Sequence, residues 1–119
     1  MKKVFAVLLT GIAMVGCGSS NVDDHLAGTD NENFLKMMIR GDVSSYIIVD
    51  KRNVVRIYLV KDSMYKYKTI LEKHGTSLDP QKPQFLMEVV NGSMFMEDMR
   101  RFFKDHPLME KIPCKVVAE

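Results

Sequence analysis

The side chains that could act as nucleophiles, bases or metal ligands are few and widely spaced. The histidines are His25, His74 and His106, and the cysteines are Cys17 and Cys114. No histidine falls in an HExxH helix motif or beside a nucleophile-elbow serine. His106 and Cys114 are eight residues apart with two prolines between them, so nothing in the spacing brings them together as a catalytic pair. The sequence therefore predicts a protein that is not an enzyme, with no catalytic residues and no cofactor.

Methionine is the residue whose abundance raises the question of a metal, with 10 in the chain. Thioether sulfur is a soft ligand for Cu(I), and Met94, Met96 and Met99 are close in sequence. A helix would place Met94 and Met96 about 200° apart around its axis, which disfavours a shared ligand set. Methionine also fills gaps between packed elements. We therefore predict no metal site.

The alternative use of these side chains is contact with another protein. Methionine and phenylalanine adapt well to a partner's helix or strand. The number of these side chains close together in the sequence exceeds what the apolar stripe of one helix can bury. The residues predicted to contact a partner are Phe85, Met87, Met94, Phe95 and Met96. The competing interpretation is that the core of the domain absorbs all of them.

The beginning of the chain has the pattern of an export signal. Lys2 and Lys3 precede a run of twelve residues without a charge, Val4 to Val15. A positive start, a short apolar run and small residues are typical of a secretory signal peptide. Twelve helical residues rise about 18 Å, whereas the hydrocarbon core of a bilayer is roughly 30 Å thick. The run is therefore too short to span a membrane, and we predict that residues 1–16 are removed as a signal peptide.

The end of that run, Met14-Val15-Gly16-Cys17, resembles the lipobox of bacterial lipoproteins. Val15, Gly16 and Cys17 match the pattern, and Met14 stands where leucine is usual. The resemblance implies a diacylglycerol on the Cys17 thiol, cleavage just before Cys17 and a further acyl chain, such as palmitate, on the new amino group. Two or three chains hold a protein durably on a bilayer. Gly18 after the cysteine implies the outer membrane, and an ordinary secretory signal with an incidental cysteine is the alternative.

Size and charge limit what the exported part can be. Removal of residues 1–16 leaves 103 of the 119 residues, enough for one small domain. Two of the 17 Lys+Arg residues leave with the signal, so 15 remain against 15 Asp+Glu. The pI of 8.5 therefore describes the precursor, and we predict neither a nucleic-acid partner nor a small-molecule substrate.

Lipid on Cys17 would leave Cys114 without an intramolecular partner. A free thiol in an exported protein is either buried as a small hydrophobe or used in an intermolecular bridge. Without lipidation, a Cys17–Cys114 disulfide is a third alternative. We favour a buried Cys114.

The mature chain divides into a tether and a domain. Residues 17–30 are small and polar and are predicted to be the lipidated cysteine with a flexible tether, and residues 31–119 a single domain. A helix over residues 31–40 is predicted from Asp30 as its cap and Gly41 at its end. Strands are predicted over residues 44–50 and 54–60, and their short polar connection indicates an antiparallel hairpin.

The second half of the domain continues in short elements. A helix over residues 64–74 is predicted, with Asp62 or Ser63 as its cap and Gly75 at its end. Residues 85–90 suit a strand or a short helix, and we favour the strand. The remaining predictions are a helix over residues 94–105, capped by Ser93 and ended by Pro107, and a strand over residues 115–118. This order predicts an α+β fold, a small antiparallel sheet with helices packed on one face.

Together these inferences predict a small non-enzymatic lipoprotein of the bacterial envelope. It would be anchored through Cys17 at the periplasmic face of the outer membrane and act as an adaptor or assembly factor for an envelope protein. Its size and anchor are similar to the pilotin class of lipoproteins. The alternatives are an immunity protein or inhibitor directed against an envelope-attacking enzyme, and a surface-exclusion lipoprotein.

Overall fold

A computed structural model describes residues 25–118. The signal segment, the lipobox and Cys17 lie outside the described residues. The strands are β1 (Ala27–Thr29), β2 (Val43–Val49), β3 (Val54–Leu59), β4 (Phe85–Glu88) and β5 (Cys114–Val117). The α-helices are α1 (Asn31–Ile39), α2 (Lys68–Lys73) and α3 (Gly92–Asp105). Short 3₁₀ segments cover Asp50–Arg52, Lys61–Tyr67 and Pro107–Lys111.

The five strands form one mixed sheet in the order β1-β4-β3-β2-β5. The predicted hairpin is present, with β2 antiparallel to β3, and β4 is antiparallel to β3. The two edge strands instead pair in parallel, β1 with β4 and β5 with β2. Parallel neighbours require long crossover connections, and helices lie between the members of both pairs. The α+β class is therefore confirmed, with a sheet that is antiparallel only at its centre.

The helix ends that depend on local signals lie where the sequence predicts them. Asp30 caps α1, because its Oδ1 accepts a hydrogen bond from the Asn33 amide at 2.8 Å. Gly41 ends the helix with a φ of +79°, a left-handed conformation that glycine adopts without strain. Gly75 does the same after α2, with a φ of +71°. At both ends, backbone amides bond back to carbonyls of the last helical turn.

Two helices differ from the prediction at their N-termini. The segment before α2 is a 3₁₀ helix, so the α-helix begins at Lys68 and neither Asp62 nor Ser63 caps it. Helix α3 is capped by Asn91, whose Oδ1 accepts from the Met94 amide at 2.8 Å, and not by Ser93. Gly92 allows this earlier start, because a Cβ there would lie 2.8 Å from Asp50 Oδ1 at the end of β2. The helix still ends before Pro107, as predicted.

The largest difference from the predicted domain boundaries is strand β1. Residues 27–29 were predicted to belong to the tether, yet they pair with β4, and both Leu26 and Ala27 are buried. Three residues are too few to show the alternation that identifies a strand in a sequence. The predicted start of the domain at residue 31 is therefore too late. The strand favoured over residues 85–90 is confirmed as β4, and the last strand begins at Cys114, one residue earlier than predicted.

Helices cover one face of the sheet, as predicted. The rings of Phe34 on α1 and Phe95 on α3 contact Tyr46 of β2, with centroid distances of 5.4 and 6.2 Å. Tyr67, just before α2, contacts Phe85 of β4 at 5.6 Å. We call this side the covered face, and it holds the hydrophobic core. None of the helices within residues 25–118 is long and apolar enough to cross a membrane.

Candidate functional site

The other side of the sheet carries no helix within the described part of the chain, and we call it the open face. Register alignment places one residue from each strand in a row across this face. The row consists of Gly28, Leu86, Arg56, Ile47 and Lys115. Leu86, Arg56 and Ile47 are half-buried, whereas Gly28 and Lys115, on the edge strands, are exposed. This row is therefore a mixture of partly accessible apolar and basic side chains, and Glu88, two residues after Leu86 on β4, adds an exposed carboxylate to the same face.

Tyr58, the next-to-last residue of the central strand β3, lines two cavities on the open face. Its neighbour across the hairpin is Ser45. Toward β5 a cavity of about 280 Å³ is lined by Tyr58 together with Ser45, Ile47 and Lys115. Toward the other edge a larger cavity of about 410 Å³ opens between β3 and the loop after α2. The half-buried phenol ring thus belongs to the lining of both cavities.

We call the larger of the two the basic cavity. It is lined by His25, Leu26, Arg56, Tyr58, Gly75, Ser77, Lys82 and Pro83. Its polar side chains donate hydrogen bonds or carry positive charge, and no Asp or Glu of residues 25–118 is part of the lining. Leu26, Pro83 and the ring of Tyr58 supply apolar wall. An open cavity of this volume with a few convergent polar groups is a typical ligand site.

Gln84 positions the loop that forms one wall of the basic cavity. Its side chain is fully buried, and its Oε1 accepts from the Leu59 amide at 2.9 Å. Its Nε2 donates to the carbonyls of Ser77 and Asp79 at 3.2 and 2.9 Å. One amide therefore joins the loop to strand β3, with its donors and acceptor all used.

His25 is held against the same loop. The Thr76 hydroxyl donates to the His25 carbonyl, and Thr76 itself is buried. The imidazole lies beside Gly75, with Nδ1 3.7 Å from the position that a Cβ would take, an ordinary van der Waals distance. His25 thus comes from the segment predicted to be a tether and becomes part of a cavity wall.

The residues predicted to contact a partner do not form a surface. Phe85, Met87 and Phe95 are at most 4% exposed and belong to the core of the covered face. Met96 is half-buried, and only Met94 of the five is well exposed, at 53%. The three core residues are not accessible to a partner in this fold, because β4 turns alternate residues inward and α3 directs Phe95 onto Tyr46. The core absorbs most of the cluster.

Cys114 also differs from the favoured interpretation, since it lies exposed on the edge strand β5. Partial desolvation raises the pKa of its thiol, although a hydrogen bond from the Tyr46 hydroxyl acts in the opposite direction. Burial and the neighbouring Cys114 raise the pKa of Tyr46 well above its usual value. The thiol is therefore accessible but mostly protonated at neutral pH. Within residues 25–118, no three His, Cys, Asp or Glu side chains lie together in a way that could hold a metal ion.

Asp42 is a second buried polar residue, and its hydrogen bonds explain why it can be buried. Its carboxylate is fully buried and accepts from Lys66 Nζ at 2.7 Å and from the Tyr67 hydroxyl at 2.6 Å. Burial alone would raise the pKa of Asp42, but these hydrogen bonds and one from Ser63 outweigh it and hold the pKa below the usual value. Burial and the bond to Asp42 raise the pKa of Tyr67 to about 12. Asp42 therefore fastens the 3₁₀ segment before α2 to the turn after α1.

Sequence reasoning missed the basic cavity because its parts are distant in sequence. His25, Arg56 and Lys82 are separated by about thirty and twenty-six residues. The available signal was the polar alternation within β3, where Arg56 and Tyr58 interrupt an apolar strand. Comparison with protein-family models, curated proteins and solved structures gives no match to this chain. The function must therefore be argued from the residues themselves.

Proposed function

We propose that this protein is a small lipid-anchored lipoprotein of the bacterial envelope that binds another envelope protein through the open face of its sheet. Residues 1–16 act as the signal, Cys17 carries the lipid, and the domain is held at the periplasmic face of the outer membrane. Its role is that of an adaptor or assembly factor and not of an enzyme. The lipobox-like sequence supports the anchor, and the open face supports the binding role.

The observation that carries the binding role is the accessibility of the open face. A sheet face of this kind is normally either polar and solvated or covered by another layer. Here Ile47, Tyr58 and Leu86 are half-buried beside two cavities, with basic residues between them. Tyrosine and arginine beside partly buried apolar side chains are typical of a surface that contacts protein.

The anchor is tested by labelling cells with a palmitate analogue and measuring the mass of the purified chain. Label is expected on the wild-type protein, and the mass should correspond to a chain that begins at an acylated Cys17. Cys17→Ser should abolish both, while Cys114→Ser should retain both, because the second thiol has no part in anchoring. An unmodified Cys17 in the wild-type protein would overturn the anchored part of the proposal.

The binding surface is tested with a photo-crosslinking phenylalanine analogue at two tyrosine positions. Tyr58 lies on the open face, and Tyr65, 73% exposed, lies on the 3₁₀ segment before α2. Irradiation of intact cells should give an adduct with a structural envelope protein from position 58 and none from position 65. Adducts from position 65 alone would reject the open face. A secreted hydrolase in the adduct would replace the adaptor role with an inhibitory one.

A further inference from the structure

We infer that the basic cavity binds the carboxylate side chains of an acidic peptide segment in the partner protein. This inference rests on the proposed function, since it states the chemistry of the partner that the open face contacts. It depends on three features of the described residues: the sign of the charges, the shape of the surface and the spacing of its basic groups.

The lining of the basic cavity carries positive charge. Arg56 and Lys82 share a cavity whose lining, within residues 25–118, contains no Asp or Glu. Lys82 makes no ion pair in the same part of the chain. Concentrating one sign of charge in a concavity favours an anionic occupant.

The remaining groups suit a carboxylate attached to an apolar segment. Ser77 and Tyr58 carry hydroxyl groups, and His25 offers a ring N–H, so the cavity can donate several hydrogen bonds to one anion. Leu26 and Pro83 form apolar wall beside them. An acidic residue flanked by an apolar one would place its carboxylate among the donors and its neighbour against this wall.

The pattern continues beyond the basic cavity, which favours a peptide over a small anion. Arg56 on β3 and Lys115 on β5 lie in the same row with Ile47 between them. Neighbouring strands are about 4.8 Å apart, so Arg56 and Lys115 are separated by about 10 Å across the sheet. An extended peptide advances about 3.3 Å per residue. Acidic residues two or three positions apart in such a peptide can therefore reach both basic groups, with an apolar residue over Ile47.

The test measures binding of fluorescein-labelled eight-residue peptides to the purified chain by anisotropy. The first peptide contains glutamate and leucine separated by serine, and the second replaces every glutamate with glutamine. The acidic peptide is expected to bind at least tenfold more tightly than the neutral one, and rising salt should weaken its binding because exposed charges are screened. Equal binding of the two peptides, or no binding of the acidic one, would overturn the inference.

Variants locate the site. Arg56→Gln and Lys82→Gln are each expected to weaken acidic-peptide binding by roughly fivefold, as loss of one partly exposed ion pair would. Arg56→Lys, which keeps the charge, should weaken it less. Lys104→Gln removes an exposed lysine from α3 and should leave binding unchanged. Because Arg56 is half-buried, thermal unfolding checks that its variants fold, and the exposed Lys82 supplies an independent result. Unchanged binding by the folded Arg56→Gln and Lys82→Gln variants would overturn the inference.

A lipid headgroup is also anionic, so the last experiment tests whether phospholipid vesicles compete with the peptide. Phosphatidylglycerol vesicles should not displace the acidic peptide. Displacement that depends on Lys82 would assign the cavity to the bilayer and reject the peptide.

The outcomes of these experiments can be distinguished from those that test the proposed function. If Cys17 is unmodified but the acidic peptide still binds, only the lipid anchor is rejected. Crosslinking at position 58 without acidic-peptide binding removes only the charge preference.

Discussion

The two faces of the sheet use the same strands for different purposes. On the covered face, Phe34, Tyr46 and Phe95 form a closed aromatic group in which each ring is at most 3% exposed. On the open face, Arg56 and Tyr58 remain half-accessible beside the cavities. Side chains on the covered face contribute free energy of folding, because they are fully removed from water. Arg56 and Tyr58 keep part of their surface in contact with water and are therefore available for binding.

We expect truncation of a side chain to lower the free energy of unfolding more on the covered face than on the open face. Phe95→Ala is expected to lower the free energy of unfolding by about 3–5 kcal/mol, because it removes a buried ring and leaves a cavity. Leu86→Ala on the open face should cost about 1 kcal/mol, since its side chain is only half-buried. Urea unfolding of the two variants measures the difference.

Met94→Ala is the matched control for this pair, because Met94 neighbours Phe95 on α3 but is 53% exposed. It should change the free energy of unfolding by no more than about 0.5 kcal/mol. A loss at Leu86 as large as that at Phe95 would show that the open face is as closed as the covered one.

Gln84 joins the loop after α2 to strand β3, and its replacement should have the next largest effect. Gln84→Ala leaves the buried Leu59 amide and two loop carbonyls without their partner, which should cost about 2–3 kcal/mol of unfolding free energy. The Leu59 amide should also exchange its hydrogen faster with solvent. Gln81→Ala, in the same loop but at an exposed position, should stay within about 0.5 kcal/mol of wild type. Equal effects of the two variants would contradict the role assigned to Gln84.

Asp42 makes the free energy of unfolding depend on pH. Asp42→Asn should cost about 1–2 kcal/mol at neutral pH, a range reduced because Lys66 is 40% exposed to solvent. Because the folded-state pKa lies below the ordinary value of 3.8, the carboxylate contributes fully above that value. Its contribution is lost as the pH falls further and Asp42 becomes protonated.

Urea unfolding of wild type and Asp42→Asn between pH 7 and pH 2 measures this dependence. The difference between the two proteins should be constant at neutral pH and shrink only below about pH 4. A difference that grows on acidification would have the wrong sign and would reject the assigned hydrogen bonds.

The smallest expected effect concerns Cys114 at the edge of the sheet. Iodoacetamide should modify this thiol completely in the folded protein, because it is exposed. The rate at pH 7.5 should be a few-fold lower than in urea, since a raised pKa reduces the thiolate fraction. Mass spectrometry over time measures the rate, with Cys114→Ser as the blank. Protection until global unfolding would instead show that β5 is covered.

Local signals predicted the elements of this fold well. Asp30, Gly41 and Gly75 mark helix ends because each acts within one turn of backbone, through a cap or a left-handed φ. The hairpin followed from two β-branched runs with a short connection between them. The predicted N-terminus of α3 differs from the observed one because Asn91 and Ser93 are both good caps, and the structure uses Asn91.

The candidate site was not predictable in the same way. Phe85, Met87 and Phe95 look alike in sequence whether they face a core or a partner, and the pairing of β4 with β3 decided that they face the core. Strand β1 is recognised only through its partner, because three residues carry no periodic pattern.

The sequence by itself determined most of the helix and strand segments, because each depends on residues adjacent in the chain. Only the tertiary structure decided which strands are neighbours, which face stays open and which side chains line the basic cavity. The physical reason is that His25, Arg56 and Lys82 lie on separate elements, and only long-range strand pairing and the hydrogen bonds of Gln84 bring those elements together.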